Sequence, residues 1–270
     1  MGPAATFAEV LAPLRADPAR AAILLDVDGT LAPIVRHAAD AHVPESTRGL
    51  LIELAGTYGV LACVSGRRAA DARRIVALGG IAYVGNHGAE LLLAGASAAE
   101  LSPEVECWVE PLQRFAAEAW TPELDRLRVR LEDKSAIVAL HWRGAPDEDA
   151  ARAAVMELGE RAREAGFWTH EGRKVLELRP PLEIDKGRGI RRLLSDQDVV
   201  AALYAGDDRT DLDAFRALDE LVAEGRLAAA LRVAVRSEEA PSDLEQSADL
   251  RVDGPAGVCA LLQALRHESG

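Results

Sequence analysis

The residues with the clearest capacity for chemistry are aspartates in two short clusters. Asp26-Val27-Asp28-Gly29-Thr30 closes one apolar run, and Gly206-Asp207-Asp208-Arg209-Thr210-Asp211 closes another. In an extended chain residues i and i+2 point the same way, so Asp26 and Asp28 are expected to project into one crevice. Two carboxylates there repel unless a cation or a proton compensates. Gly29 permits a sharp turn off the strand. The second cluster adds three carboxylates within five residues. Together they form a hard oxygen site suited to Mg²⁺, which takes a few carboxylates and keeps waters. An acidic helix cap would also place a carboxylate here, but capping needs one and this cluster has three.

Two further groups suit a phosphate. Ser65-Gly66-Arg67 follows an apolar run, so a hydroxyl and a backbone N–H meet at a helix start, which favours an anion. Asp185-Lys186-Gly187 opens a helix, and its ammonium would offset phosphate charge beside a metal–carboxylate cluster. Either tripeptide alone is common and means little.

Such groups need several strands that end side by side. Short apolar runs alternate with amphipathic stretches, which predicts βα units around a parallel sheet. Strands are expected at 22–27, 60–64, 81–84, 199–205, 231–235 and 249–252, with helices at 45–58, 69–78, 185–194, 209–224 and 256–265. The strands are apolar throughout, as expected when helices cover both faces. After about residue 98 the texture changes. Alternating or β-rich patterns at 126–133 and 135–142 precede a helix at 147–165 and a strand pair at 167–170 and 174–178. The fold class is α/β: a doubly wound, Rossmann-like core from 1–98 and 182–270, with an α+β domain at 99–181 inserted.

Composition narrows the partners. The 270 residues hold 31 Lys+Arg and 44 Asp+Glu, a net charge of −13, and a 49% apolar fraction that is normal for a globular chain. This balance argues against nucleic acid and against an anionic membrane surface. No apolar run approaches the ~20 residues of a membrane span. The N-terminus lacks a basic start followed by an apolar core, so no secretory leader is expected. Met1–Thr6 fits a myristoylation pattern too loosely to carry weight. Cys63, Cys107 and Cys259 form no CxxC, hence neither a disulfide framework nor a thiolate zinc site. His37 and His42 read as surface residues, and the chain as a cytoplasmic monomer.

In order, LLDVDGTLAPI, VSGR, DKG and GDDRTD resemble the four motifs of the haloacid dehalogenase (HAD) superfamily. Within it the chain is similar to the trehalose-6-phosphate phosphatases. That likeness rests on DGTLAPI, on Gly85-Asn86-His87-Gly88-Ala89-Glu90, and on EDK at 132–134 with HWR at 141–143. It extends through GRKVLELRP at 172–180 and the closing ADLRVDGPAGVCALLQAL. Departures are small: Val27 stands where Tyr or Phe is common, Trp142 where Tyr is usual, and Asp213 in a stretch that usually holds an acidic pair.

The resemblance implies a Mg²⁺-dependent hydrolysis of trehalose 6-phosphate through an aspartyl-phosphate. Asp26 would be the nucleophile and Asp28 the general acid and base. Ser65 and Lys186 would hold the phosphoryl oxygens. Mg²⁺ would sit on Asp26, the Asp28 carbonyl and Asp207, with Asp208 and Asp211 completing the site directly or through water. The insertion would be a C2-type cap. Sugar contacts would come from Arg67, His87, Gly88, Glu132, Arg143, Lys174 and Glu177. Glu132 and Lys134 equally suit an ordinary cross-strand charge pair. The synthase domain fused to some relatives is not expected at this length. Alternative substrates are sucrose phosphate or a glucosylglycerol phosphate. A non-catalytic sugar-phosphate sensor would be expected to lack Asp26 or Asp28, and both are present.

Only three of the 31 basic residues are lysine, and Lys134, Lys174 and Lys186 all fall in family-like segments. An ammonium differs from a guanidinium in charge focus and geometry. Lys186→Arg and Lys174→Arg are each expected to lower turnover in a phosphate-release assay although charge is conserved. Unchanged kinetics in both would make the lysine pattern accidental.

Overall fold

The computed structural model describes residues 7–35, 40–237 and 241–266. His37 and the Met1–Thr6 segment lie outside them. The chain forms two compact units, Met1–Glu100 with Ile184–Gly270, and Leu101–Glu183. No helix among the described residues is long and apolar enough to cross a membrane.

The first unit is built on a sheet whose strands are β1 (Ala21–Asp26), β2 (Val60–Val64), β3 (Ala82–Gly85), β4 (Glu90–Leu92), β5 (Glu100–Leu101), β10 (Ala201–Gly206), β11 (Ala229–Arg236) and β12 (Leu250–Asp253). Their order is β12-β11-β10-β1-β2-β3-β4-β5. Pairing is parallel from β12 to β3, and β4 returns antiparallel to β3. All six residues of β1 are buried, because side chains alternate between two apolar layers. Ile23 and Leu25 pack with Leu51 of α1 (Glu45–Ala55), Ile75 of α2 (Ala69–Val76) and Leu261 of α7 (Gly254–Leu265). Ala22 and Leu24 pack with Ile190 of α5 (Lys186–Leu194) and Phe215 of α6 (Asp211–Ala223). This is the doubly wound α/β architecture. Truncating a buried leucine such as Leu24 to Ala would cost about 2–5 kcal/mol.

The second unit holds β6 (Arg130–Asp133), β7 (Val138–His141), β8 (Trp168–Gly172) and β9 (Val175–Arg179), with α3 (Val109–Ala119) and α4 (Glu148–Glu164). Its sheet runs β6-β7-β9-β8 and is antiparallel throughout. Leu140, Leu176 and Leu178 form a core with Leu112 of α3 and Val155 and Leu158 of α4. Gly159 lets α4 lie close to the sheet: a Cβ there would sit 2.6 Å from Leu176 Cδ2.

The expected elements recur within a few residues, with differences: the helix Val109–Ala119, the helix Ser242–Ser247 and the strand β5 are not among those expected. The alternating stretch 126–133 is strand only from Arg130. Pro122–Arg126 is a helical turn instead, because Pro122 suits a first helical position and the Thr121 hydroxyl accepts from Leu124 N–H. The short return strand β4 has too few residues to show a period.

Candidate active site

The C-terminal ends of β10, β1, β2 and β3 are neighbours. Asp26 is opposite Val64, Val64 opposite Val84, and Leu25 opposite Ala205. The residues just beyond these ends are Val27–Thr30, Ser65–Arg67, Asn86–Gly88 and Asp207–Asp211. Open α/β sheets place ligands at this edge.

At its centre is a buried ammonium. Lys186, at the start of α5, is 2% exposed and donates to Asp26 Oδ1 at 2.8 Å and to Asp211 Oδ1 at 2.6 Å. Tyr204 O–H donates to the same Asp211 oxygen at 2.6 Å, and the Asp208 N–H donates to Asp211 Oδ2 at 2.9 Å. Burial pulls Lys186 down, but Asp211, Asp26 and Asp208 outweigh it and hold the ammonium above its ordinary range. Burial pushes Asp26 well above the usual carboxylate range; Lys186 opposes, while Asp211 and Asp207 add to the shift. Burial also raises Asp211, against Lys186.

Asp26, Asp207 and Asp211 each offer an oxygen within 4.8 Å of the others. Thr30 O–H donates to Asp207 at 3.3 Å, and no basic side chain pairs with Asp207 among the described residues. Burial, with Asp211 and Asp208, pushes Asp207 up to about 7. Gly29 makes this placement possible, since a Cβ there would lie 2.1 Å from Asp207 Oδ2. Three buried carboxylates around one ammonium leave an excess of negative charge. A hard divalent cation fits both that charge and these donors.

Asp28 and Asp208 lie outside this trio. Asp28 accepts a fork from Arg67, at 2.7 Å from Nε and 2.6 Å from Nη2. Asp208 accepts from Thr210 N–H and O–H, and its side chain is 57% exposed. Burial raises Asp208, but Lys186 and Thr210 pull it below the ordinary range.

The phosphate-suited loop is braced from behind. Buried Ser65 accepts from Arg67 N–H at 3.1 Å, which leaves its own O–H to donate. The Asn86–Gly88 turn has φ values of 47°, 56° and 114°. Its N–H groups reach Arg67 O from Asn86 and Ser65 O from His87. Gly66 makes room for the His87 ring, and Gly88 for the Asp185 carbonyl, 2.1 Å from where a Cβ would be. Buried Glu90 accepts from Ala69 N–H, the first residue of α2, at 2.8 Å and from Asn86 Nδ2 at 2.7 Å.

Sequence reasoning missed Tyr204, Thr30 and Glu90 as parts of this site. A tyrosine inside an apolar strand is itself a signal, since its buried hydroxyl must find a partner.

In the second unit Glu132 pairs with His141 at 2.8 Å, Lys134 with Glu177 at 3.1 Å, and Lys174 with Glu148 at 2.6 Å. Arg179 also holds Glu177. Arg143 donates to the Arg173 carbonyl at 3.1 Å. The His141 hydrogen bond lowers Glu132 against burial, and the Lys134 charge also helps to lower it. Lys174 takes a left-handed φ of 63° in the β8–β9 turn.

Comparison with known proteins adds three findings. The trehalose-phosphatase family model matches residues 24–256. An uncharacterized glycosyl hydrolase of Mycobacterium tuberculosis is 33% identical over 91% of this chain and 18% of its own length. A trehalose-phosphate phosphatase of Mycobacterium marinum is 34% identical over 74% of this chain and 52% of its own. The chain therefore spans about half or less of these two relatives. Among solved structures, a trehalose-6-phosphate phosphatase related protein superposes with a TM-score of 0.68 at 25% identity, covering 90% of this chain and 95% of that one. A haloacid dehalogenase-like hydrolase from Bacteroides thetaiotaomicron shares the fold, with a TM-score of 0.64 at 16% identity over 91% and 99% of the two chains.

Two outcomes are expected from this geometry. Asp207 is raised from 3.8 to about 7, so its contribution to stability is full below about 3.8 and is lost as pH rises through 7. Protein stripped of divalent cations should therefore melt at lower temperature near pH 8 than near pH 5, with added Mg²⁺ reversing most of the loss (roughly these values, by linkage). A flat melting profile in the stripped protein would contradict this. Glu90 uses both oxygens as acceptors, whereas glutamine keeps one acceptor and turns an NH₂ on a donor. Glu90→Gln should cost about 1–3 kcal/mol in urea unfolding. Adding Asn86→Asp, which restores the 86–90 hydrogen bond with donor and acceptor exchanged while Ala69 N–H still donates to residue 90, should recover most of it.

Proposed function

The chain belongs to the trehalose-phosphatase family, and from that premise we propose that it hydrolyses trehalose 6-phosphate to trehalose and phosphate. The observation that carries this reading is the strand-end cluster of Asp26, Asp207 and Asp211 around the Lys186 ammonium.

Asp26 is the nucleophile. Lys186 holds its Oδ1, which leaves Oδ2 to attack phosphorus. A bond forms from that oxygen to phosphorus as the bond from phosphorus to the sugar oxygen breaks. Asp28 supplies the proton to the departing sugar oxygen. In the second half Asp28 takes a proton from water as that water attacks the aspartyl-phosphate, releasing phosphate and restoring Asp26. Arg67 grips both Asp28 oxygens, so proton transfer requires Asp28 to exchange this fork for the substrate oxygen or water. Ser65 O–H and Lys186 hold the phosphoryl oxygens, so catalysis is mainly positioning and charge neutralisation.

Asp26 and Asp207 would hold Mg²⁺ with the Asp28 carbonyl, and Asp208 and Asp211 would complete the site directly or through water. When bound, the ion supplies positive charge that favours ionised Asp26 and Asp207 and neutralises the phosphoryl group. Many sugar hydroxyls need polar partners, and the Leu101–Glu183 unit supplies them as a cap, through Glu132, Arg143, Lys174 and Glu177. Arg67, His87 and Gly88 are the first unit's own candidates for sugar contacts. The three cysteines are unpaired thiols, in keeping with a reducing, cytoplasmic setting.

The test is phosphate release from trehalose 6-phosphate, sucrose phosphate, glucosylglycerol phosphate and glucose 6-phosphate, with and without Mg²⁺. Trehalose 6-phosphate should lead by about tenfold or more in kcat/KM, the discrimination expected of a site built for its hydroxyls. Asp26→Asn should lower Mg²⁺-dependent turnover by about 10³-fold or more. Similar turnover of all four substrates would overturn the trehalose assignment, and an active Asp26→Asn enzyme the nucleophile.

A further inference from the structure

We propose that Trp168 is a stacking platform for the hexose ring that carries no phosphate, and so separates disaccharide from monosaccharide phosphates. The inference rests on the reading above and names a specificity-determining residue for it.

The register places Trp168 on a sugar-suited surface. On β8 and β9, Trp168 is opposite Arg179 and His170 opposite Glu177. Directly opposed residues share a sheet face, as do residues i and i+2. Trp168, His170, Glu177 and Arg179 are therefore on one face. Ala139 lies opposite both Glu177 and Glu132, which brings Glu132 to the same face. The other face carries Leu140, Leu176 and Leu178 into the core. The polar face thus holds two of the carboxylates already assigned to sugar hydroxyls.

Exposure singles out the indole. The chain has four tryptophans. Trp108, Trp120 and Trp142 belong to this unit's apolar core, while Trp168 is 49% exposed. Among the described residues its ring makes no hydrogen bond or ring contact. Its cross-strand neighbour Arg179 is committed to Glu177.

A pyranose presents hydroxyls around its rim and C–H groups on its faces. The rim calls for carboxylates and ammonium groups, which Glu132, Glu177 and Lys134 provide. The C–H face calls for a flat apolar partner, and Trp168 is the one large apolar ring on this sheet face. His170, two residues along, adds a hydrogen-bonding group; burial and Arg179 lower it toward the neutral imidazole, against Glu177. A phosphorylated ring is already anchored through its phosphate. Stacking therefore contributes most for the second ring, which a hexose phosphate lacks.

The test compares the full chain with Trp168→Ala and Trp168→Phe, all with Mg²⁺, on trehalose 6-phosphate, glucose 6-phosphate and p-nitrophenyl phosphate. Trp168→Ala should raise KM for trehalose 6-phosphate about tenfold, with kcat within about twofold, the pattern of lost uniform binding. Its kinetics on the other two substrates should match the parent, which also shows that the variant folds. Trp168→Phe should restore KM, since a phenyl ring still stacks. Fluorescence quenching by trehalose should occur in the parent and be lost in Trp168→Phe. An unchanged KM in Trp168→Ala, or equal losses on all three substrates, overturns the platform alone. A parent enzyme with no preference for trehalose 6-phosphate over glucose 6-phosphate overturns the functional reading, and the platform with it.

Discussion

An ammonium taken out of water costs several kcal/mol unless carboxylates meet it, and the meeting of Lys186 with Asp26 and Asp211 organises the rest of the core. The three groups come from the end of β1, the start of α5 and the start of α6. None can shift alone without leaving a buried charge unpaired. The neighbours of this triad are correspondingly tight. Asp185 caps α5 through Arg188 N–H at 2.8 Å, and Gly88 and Gly189 let the Asn86–Gly88 turn press against that helix start. Tyr204 completes Asp211 from within β10. Asp207 is the carboxylate that this pairing leaves over.

The fold was legible because its strands are nearly pure apolar runs and its chemistry sits where those runs stop. AAILLD, VLACV and AALYAG each end at a residue of the candidate site or one step before it. Element existence followed from periodicity; the Pro122–Arg126 turn did not, because alternation in RLRV carries no information about the Thr121 cap. The site was legible as a set of residues but not as a ranking within the set. Asp207, Asp208 and Asp211 look equivalent in GDDRTD. Tertiary contacts separate them: Asp211 is fully buried and saturated, Asp208 turns to Thr210, and Asp207 faces Asp26 and Asp211 with only a threonine donor among the described residues. Asp26 and Asp28 diverge likewise, since β1 ends at Asp26 and the turn hands Asp28 to Arg67.

The polar groups of the second unit already satisfy one another. Glu132 has His141, Glu177 has Lys134 and Arg179, and Lys174 has Glu148. A sugar bound there, as proposed, would have to exchange these partners for its own hydroxyls, and net affinity would be the small difference between the two sets. Such a surface rejects ligands that break the pairs without replacing them. This is a stronger filter than attraction alone.

The central position of β1 also bears on how the chain is made. β1 pairs with β2 soon after both are synthesised, but its other edge belongs to β10. Roughly 140 residues separate the ends of β2 and β10, including the whole second unit. At ~5–20 residues per second, roughly seven to thirty seconds pass on the ribosome before β10 emerges. Through that interval an apolar strand edge waits unpaired, a template for mispairing between nascent chains. The inserted unit can complete its own core first. Lys186, Asp207 and Asp211 lie in the last third of these residues, so the cluster around Asp26 is assembled only after the second unit has been made.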